Sequence, residues 1–328
     1  MSFGERFLHN PDLFPARRGG EAWGGREAVL DLPGGPYRFR GLSHSQEHAV
    51  RNRFGPFCRE AGTLATAGAP AAVEVRVFRV AASDFRELDL RGWEYGLDMD
   101  FAPETVRLAG LRLLGRLDWQ PGLTGALWTS EAEGEELSGV FENFFRVLAA
   151  YRILERGGVI LHCAGVARAA PGSPGPGEAC LFLGRSGAGK TTVSRQGLER
   201  GYLVLSDDLN AVVRPDGSAL RVERLPFTGD LGAVSSAARS FPLRALFRLE
   251  KSADDRIRPL SRAEAVACLL ACSPFVNVDP FRREALMAVL VDLAMAFPAF
   301  ELHFSLAGGF WSILDRAWPP TISTSVVS

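Results

Sequence analysis

The sequence predicts an α+β chain of two domains, an N-terminal antiparallel sheet domain followed by an α/β domain with a mixed sheet. Three observations carry that expectation. Gly184-Arg185-Ser186-Gly187-Ala188-Gly189-Lys190-Thr191-Thr192 is a glycine loop set between an apolar run, Ala179 to Leu183, and a stretch able to form a helix, Thr192 to Arg200. Val73 to Val80 alternates apolar and polar residues as a half-buried strand does, and similar strand pieces follow it. Between the two regions, Glu131-Ala132-Glu133-Gly134-Glu135-Glu136 is a polar, acidic break. The expected domains are therefore 1–136 and 137–328.

In the first of these, residues 1 to about 35 are rich in Gly, Arg and Pro without a clear period and read as an irregular arm. Pro36 to Arg40 alternates like a strand. Ser43 to Phe54 reads as a helix, with Ser43 and Gln46 at capping-box spacing. His44 and His48 lie one turn apart on it, but no third or fourth ligand accompanies them, so they are read as surface residues. Strand pieces follow at Trp93 to Phe101, Thr105 to Leu108 and Leu111 to Trp119. An antiparallel sheet with one helix accounts for residues 36–130, and no group of chemistry-bearing residues falls within it.

After the acidic break, Leu137 to Glu155 carries Val140, Phe141, Phe144, Phe145, Leu148, Tyr151 and Leu154 at helical spacing, a pattern of core packing. Gly157-Gly158 stops this helix, and Val159 to Ala167 follows as a buried strand. The Pro- and Gly-containing loop Ala170 to Gly177 then returns the chain to the strand that enters the glycine loop. His162 is thereby placed on a strand beside that loop. After the loop and its helix, Tyr202 to Leu205 is a strand ending in Ser206-Asp207-Asp208. A hairpin is expected from Leu209 to Arg224 about the turn Arg214-Pro215-Asp216-Gly217. Further on, Leu243 to Leu249 reads as a strand. Ser261 and Glu264 form a second capping box, opening a helix to Cys272, and Asp279 is expected to cap a helix to about Phe297. A strand, Phe300 to Leu306, and a short helix near Gly309 to Trp318 complete the chain.

The chemistry sits in the glycine loop. It fits G-x-x-x-x-G-K-[ST] in the strand, loop, helix context that the motif requires. Glycines let the backbone curl until successive N–H groups point at one spot, the Lys190 ammonium reaches the outer phosphates, and the Thr191 hydroxyl can ligate magnesium. Lysine is rare here. Only Lys190 and Lys251 occur among 37 basic residues, so Lys190 reads as a chemical requirement for a compact ammonium, and Lys251 as chance. Two adjacent carboxylates at the end of a strand beside a phosphate site, Asp207 and Asp208, can hold magnesium and take a proton from an attacking hydroxyl. Glu223 and Asp230 are further candidate metal ligands.

Composition excludes other classes. The formal net charge is −1 and the sequence pI about 6.6, so nothing suggests bulk attraction to nucleic acid or an acidic membrane. No apolar run is long enough for a signal peptide or a membrane span, and five cysteines without a C-x-x-C pair suggest reduced thiols in a cytoplasm. Cys268 and Cys272, four apart, read as small core residues.

Motor and transporter ATPases would need accessory signatures such as L-S-G-G-Q, which the chain lacks. Small-molecule kinases begin with the loop strand, whereas here the loop is entered from a hairpin and the acids run into another. Leu161-His162, Gly184 to Thr191 and Leu205-Ser206-Asp207-Asp208 together resemble the HPr kinase/phosphorylase family, with its phosphoenolpyruvate carboxykinase-like P-loop fold, over about residues 156 to 310. The resemblance implies an ATP- and Mg2+-dependent kinase. In it, Lys190 and Thr191 bind phosphate and magnesium, Asp208 is the catalytic base and His162 is the family histidine. The N-terminal domain differs from that of the sugar-regulation enzymes, and the loop Ala170 to Gly177 lengthens the hairpin. Arg256 and Arg258 stand as candidates for the family's later arginine. Expected acceptors are a peptide, protein or small-molecule hydroxyl such as free serine, with a homo-oligomer left open. A regulatory module that binds nucleotide and transfers nothing is the alternative.

Overall fold

The computed structural model describes residues 20–59, 71–80, 97–110, 112–130, 137–168, 177–227, 229–232 and 238–317. It is a mixed α/β protein with two mixed sheets and, among the described residues, six α-helices. Contacts divide it into two units, Met1–Arg152 and Ile153–Ser328.

The strands of the first unit are β1 (Glu21–Ala22), β2 (Arg26–Leu32), β3 (Gly35–Leu42), β4 (Cys58–Arg59), β5 (Val73–Val80), β6 (Asp98–Phe101), β7 (Thr105–Gly110), β8 (Leu113–Asp118) and β9 (Thr124–Ser130). They form one sheet in the order β4-β2-β3-β5-β9-β8-β7-β6, with β1 on β5. Helix α1 (His44–Phe54) follows β3, and its Ser43–Gln46 capping box has both reciprocal hydrogen bonds. The sheet is not purely antiparallel as the alternating pattern suggested. β5 runs parallel to both β3 and β9, because α1 and the β6–β8 meander carry the chain back across the sheet before each pairing. Part of the expected irregular arm is also a strand: Pro33-Gly34 turns β2 into β3, and Gly34 has φ +94°. Residues 1–19 and the Trp93 end of the expected third strand lie outside the described residues.

Helix α2 (Leu137–Glu155) runs to the division between the units, and its N-terminal aromatic face belongs to the first. Phe141 lies 4.3 Å from Phe39 between ring centroids, and Phe145 lies 5.1 Å from Tyr37 and 5.9 Å from Phe54. Gly115 and Gly125 leave room for Phe144, whose ring an added Cβ would approach to 2.8 and 3.1 Å. The helix expected to open the second domain thus packs on the first sheet. The Glu131–Glu136 break lies outside the described residues.

The second unit carries β10 (Val159–Arg168), β11 (Glu178–Leu183), α3 (Lys190–Glu199), β12 (Leu203–Ser206), β13 (Leu209–Val213), β14 (Arg221–Arg224), β15 (Ser240–Lys251), β16 (Arg256–Pro259), α4 (Arg262–Ala271), α5 (Arg283–Ala296), β17 (Ala299–Phe304) and α6 (Phe310–Ala317). Its sheet runs β11-β10-β13-β14-β15-β17-β16, with β12 on β10 and β11 also paired to β15. Strand β15 is longer than the expected Leu243 to Leu249, since it pairs in turn with β14, β11 and β17. β11, β15 and β17 are parallel, so their C-terminal ends share the rim from which the glycine loop leaves. Phe182, Val193, Phe247, Leu302, Phe304 and Trp311 are among the buried side chains of the core beneath that rim. Ser261 and Glu264 make the expected capping box for α4. Asp279 does not cap α5. That helix begins at Arg283, and the buried Asp279 carboxylate accepts from the Phe281 N–H at 2.8 Å instead. None of the described helices is long and apolar enough to cross a membrane.

Candidate functional site

The glycine loop joins β11 to α3. Gly187 and Gly189 have φ of +77° and +107°, a left-handed backbone that L side chains adopt only with strain. Space adds a second requirement. A Cβ on Gly189 would lie 2.4 Å from the Phe304 ring, and one on Gly184 would lie 2.5 Å from the Ala188 methyl. No side chain caps α3, whose N-cap is Gly189, so its first N–H groups face the loop's concavity. Arg185, Ser186 and Gly187 form the exposed crown, with Ala188 and Thr192 partly covered.

Lys190 is the first residue of α3 and is only 7% exposed. Its Nζ donates to Gly184 O at 2.9 Å and Arg185 O at 3.1 Å, which holds the ammonium across the loop. Burial lowers its pKa, while Cys272, Cys163, Asp208 and Asp207 nearby act the other way.

The two aspartates have separate partners. The Thr191 hydroxyl donates to Asp207 Oδ2 at 3.0 Å, and Asp207 is 5% exposed. Gly229 lets the backbone close over this carboxylate, since a Cβ there would come within 2.5 Å of Asp207 Oδ1. Asp208 lies with its Oδ1 3.4 Å from His162 Nε2. His162 is fixed by its N–H, which donates to Cys272 O at 2.7 Å. The structure therefore brings the loop, His162, Asp207 and Asp208 close together.

Glu223 and Asp230 are not joined to them. Among the described residues no three His, Cys, Asp or Glu side chains are grouped so as to hold a metal ion. Glu223 is hydrogen-bonded to Ser240 and burial raises its pKa; Asp230 is exposed in the turn after Gly229. The hard-oxygen pair Thr191 and Asp207 nonetheless suits magnesium, which commonly takes one or two carboxylates and completes its shell with phosphate oxygens and water. Arg258 is bound to Glu301 and Glu264, and Arg256 to His303. A different arginine, Arg248, stands in register with Leu183, one residue before the loop, and pairs with Glu301.

Sequence reasoning gave Asn210, Ser206 and Cys272 no role of their own at the site. Cys272 is buried as expected, but its thiol accepts from the Gly184 N–H and from Cys268, and its pKa is lowered chiefly by the Cys268 hydrogen bond. Asn210 was visible as a lone amide in an apolar strand, Leu209-Asn210-Ala211-Val212. None of the five cysteines is in a disulfide.

Among known families, the SynChlorMet cassette protein ScmC matches residues 141–318, more than half of the chain. The chain belongs to the ScmC family. No curated protein matches it. The span shared with ScmC begins in α2, ends after α6 and contains every site residue named above.

Proposed function

We propose that the chain is an ATP- and magnesium-dependent kinase that transfers the γ-phosphate to a hydroxyl, with serine of a peptide or protein as acceptor, in the manner of HPr kinase/phosphorylase. One observation carries this reading: two adjacent carboxylates have divided, Asp207 to the Thr191 hydroxyl beside the glycine loop and Asp208 to His162. A module that only held nucleotide would have use for the first acid and none for the second.

The division assigns roles. Magnesium, when bound with the nucleotide, neutralises charge on the transferring phosphoryl group. Thr191 and Asp207 would supply oxygens to hold it. Lys190 places its ammonium against the outer phosphates, and the curled loop and open N-terminus of α3 offer N–H donors. Asp208 takes the acceptor's hydroxyl proton as the oxygen attacks, and His162 orients the Asp208 carboxylate without being the base. Catalysis here leans on positioning and charge stabilisation, to which the buried Lys190 and Asp207 contribute. A cytoplasmic location fits the unpaired thiols.

The deciding experiment incubates the protein with γ-labelled ATP, magnesium and a lysate of its own cells, with free serine in a parallel reaction. The expected result is a labelled peptide or protein that the Asp208→Asn variant does not produce. Label on free serine would make the acceptor a small molecule. No transfer to any acceptor, with nucleotide still bound, would leave a regulatory module.

A further inference from the structure

Strand β10 is edged by two strands in succession. Gly165 stands opposite Ser206 of β12, and His162 opposite Leu209 of β13. Between those pairs the ladder is interrupted, with Cys163 and Ala164 on one side and Asp207 and Asp208 on the other. An interrupted ladder orphans backbone groups, and orphaned buried groups are costly. One is recovered directly, as the Cys163 N–H donates to Asp208 O at 2.9 Å. The Asn210 amide, on a side chain that is 0% exposed, serves two more: Nδ2 donates to Cys163 O at 2.8 Å and to Ser206 O at 3.3 Å. These carbonyls belong to the residue after His162 and the residue before Asp207. Ser206 adds a second tie, its hydroxyl accepting from the Asp208 N–H at 3.1 Å and donating to Phe227 O at 3.2 Å. Gly165 makes the room, since a Cβ there would meet Asn210 Oδ1 at 2.7 Å.

We propose that Asn210 is the positioning residue of this site, its amide replacing the missing ladder bonds so that the break stays open with Asp207 on Thr191 and Asp208 on His162. The side chain must bring two N–H donors on one nitrogen to two carbonyls, which an ionised aspartate or a leucine of similar size cannot do. The consequence for phosphate transfer rests on the kinase reading. The consequence for the geometry of the break does not.

The test uses the full chain, with folding of each variant checked by circular dichroism. A fluorescent ATP analogue is titrated with and without magnesium, and ring signals of 15N-labelled histidine are recorded at one pH, His162 being assigned with His162→Gln. In Asn210→Ala the magnesium-free affinity is expected to hold, while the gain on adding magnesium falls about tenfold or more, as with supporting partners of metal ligands. The His162 signals should move as they do in Asp208→Asn. Asn210→Ser, which keeps one donor, should fall between, and it decides the matter by the same readings if Asn210→Ala does not fold. A folded variant whose magnesium gain and His162 signals both match the wild type would overturn the proposal, because a merely structural role would lower thermal stability and leave both unmoved. If the wild type transfers no phosphate while the signals move as expected, the kinase reading falls and the positioning role stands.

Discussion

Asp207 and Asp208 are neighbours in sequence with different partners, which makes their roles separable by mutation. Asp208→Asn should keep magnesium–nucleotide binding and slow transfer by about a hundredfold or more, because an amide can still accept a hydrogen bond from the acceptor but cannot hold its proton. Asp207→Asn should instead weaken the magnesium-dependent part of nucleotide binding. Lys190→Arg should lose nucleotide affinity although the charge remains, since a forked guanidinium does not fit between the Gly184 and Arg185 carbonyls. Nucleotide titrations and single-turnover rates on the labelled acceptor check all three. Wild-type turnover by Asp208→Asn would remove it as the base. That the glycine loop, His162 and the acid pair lie close together was legible, because the loop motif fixes one strand end and His162 and the acids sit on the strands next to it in sequence. Asn210 was not, since its role depends on where the β10 ladder breaks. Glu223 and Asp230 were attractive as acids close in sequence to the pair, but strand register sends Glu223 to Ser240 and the Gly229 turn exposes Asp230.

Capping boxes at Ser43 and Ser261 were readable because a stretch of four residues suffices to define them. Parallel pairings were not, because they depend on what lies between the strands, and the same holds for the charged row that the pairing of β15, β17 and β16 assembles. There Glu301, 8% exposed, accepts from Arg248, Arg258 and His303. Its pKa is lowered to about 2, first by the Arg248 hydrogen bond and against the opposing effect of burial. A carboxylate lowered on folding adds stability above its ordinary value of 4.5 and loses it as the pH falls toward about 2. The thermal midpoint of the wild type should therefore drop more steeply than that of Glu301→Gln between about pH 5 and pH 2. Parallel curves across that range would show that the row does not hold these strands together. Arg248 adjoins Leu183 in register, so a loosened row should also lower the stability of the glycine loop's base.

At the scale of the whole chain, the position of the domain boundary has a physical consequence. The acidic break suggested a cut after residue 136, which would assign all of α2 to the second domain. The aromatic face of that helix instead packs on the first sheet, and the units divide after Arg152. A fragment of residues 137–328 would carry Phe141, Phe144 and Phe145, each 0% exposed in the full chain, without the sheet that covers them. Exposed apolar surface of that kind drives self-association. A fragment of residues 153–328 avoids it and keeps Ile153, whose carbonyl accepts from the Gly158 N–H at 2.9 Å. Light scattering should find the longer fragment more associated than the shorter one, and the shorter one should retain nucleotide binding through its intact loop. On the kinase reading, the first unit, which contributes no residue to the glycine loop, is proposed to select the acceptor or to mediate assembly, and the first of these is open to the same fragment. The shorter fragment should accordingly bind nucleotide and fail to select the acceptor that the full chain labels. Equal association of the two fragments would refute the reassignment of α2, and full-efficiency labelling of the same acceptor by residues 153–328 would place acceptor choice within the second unit.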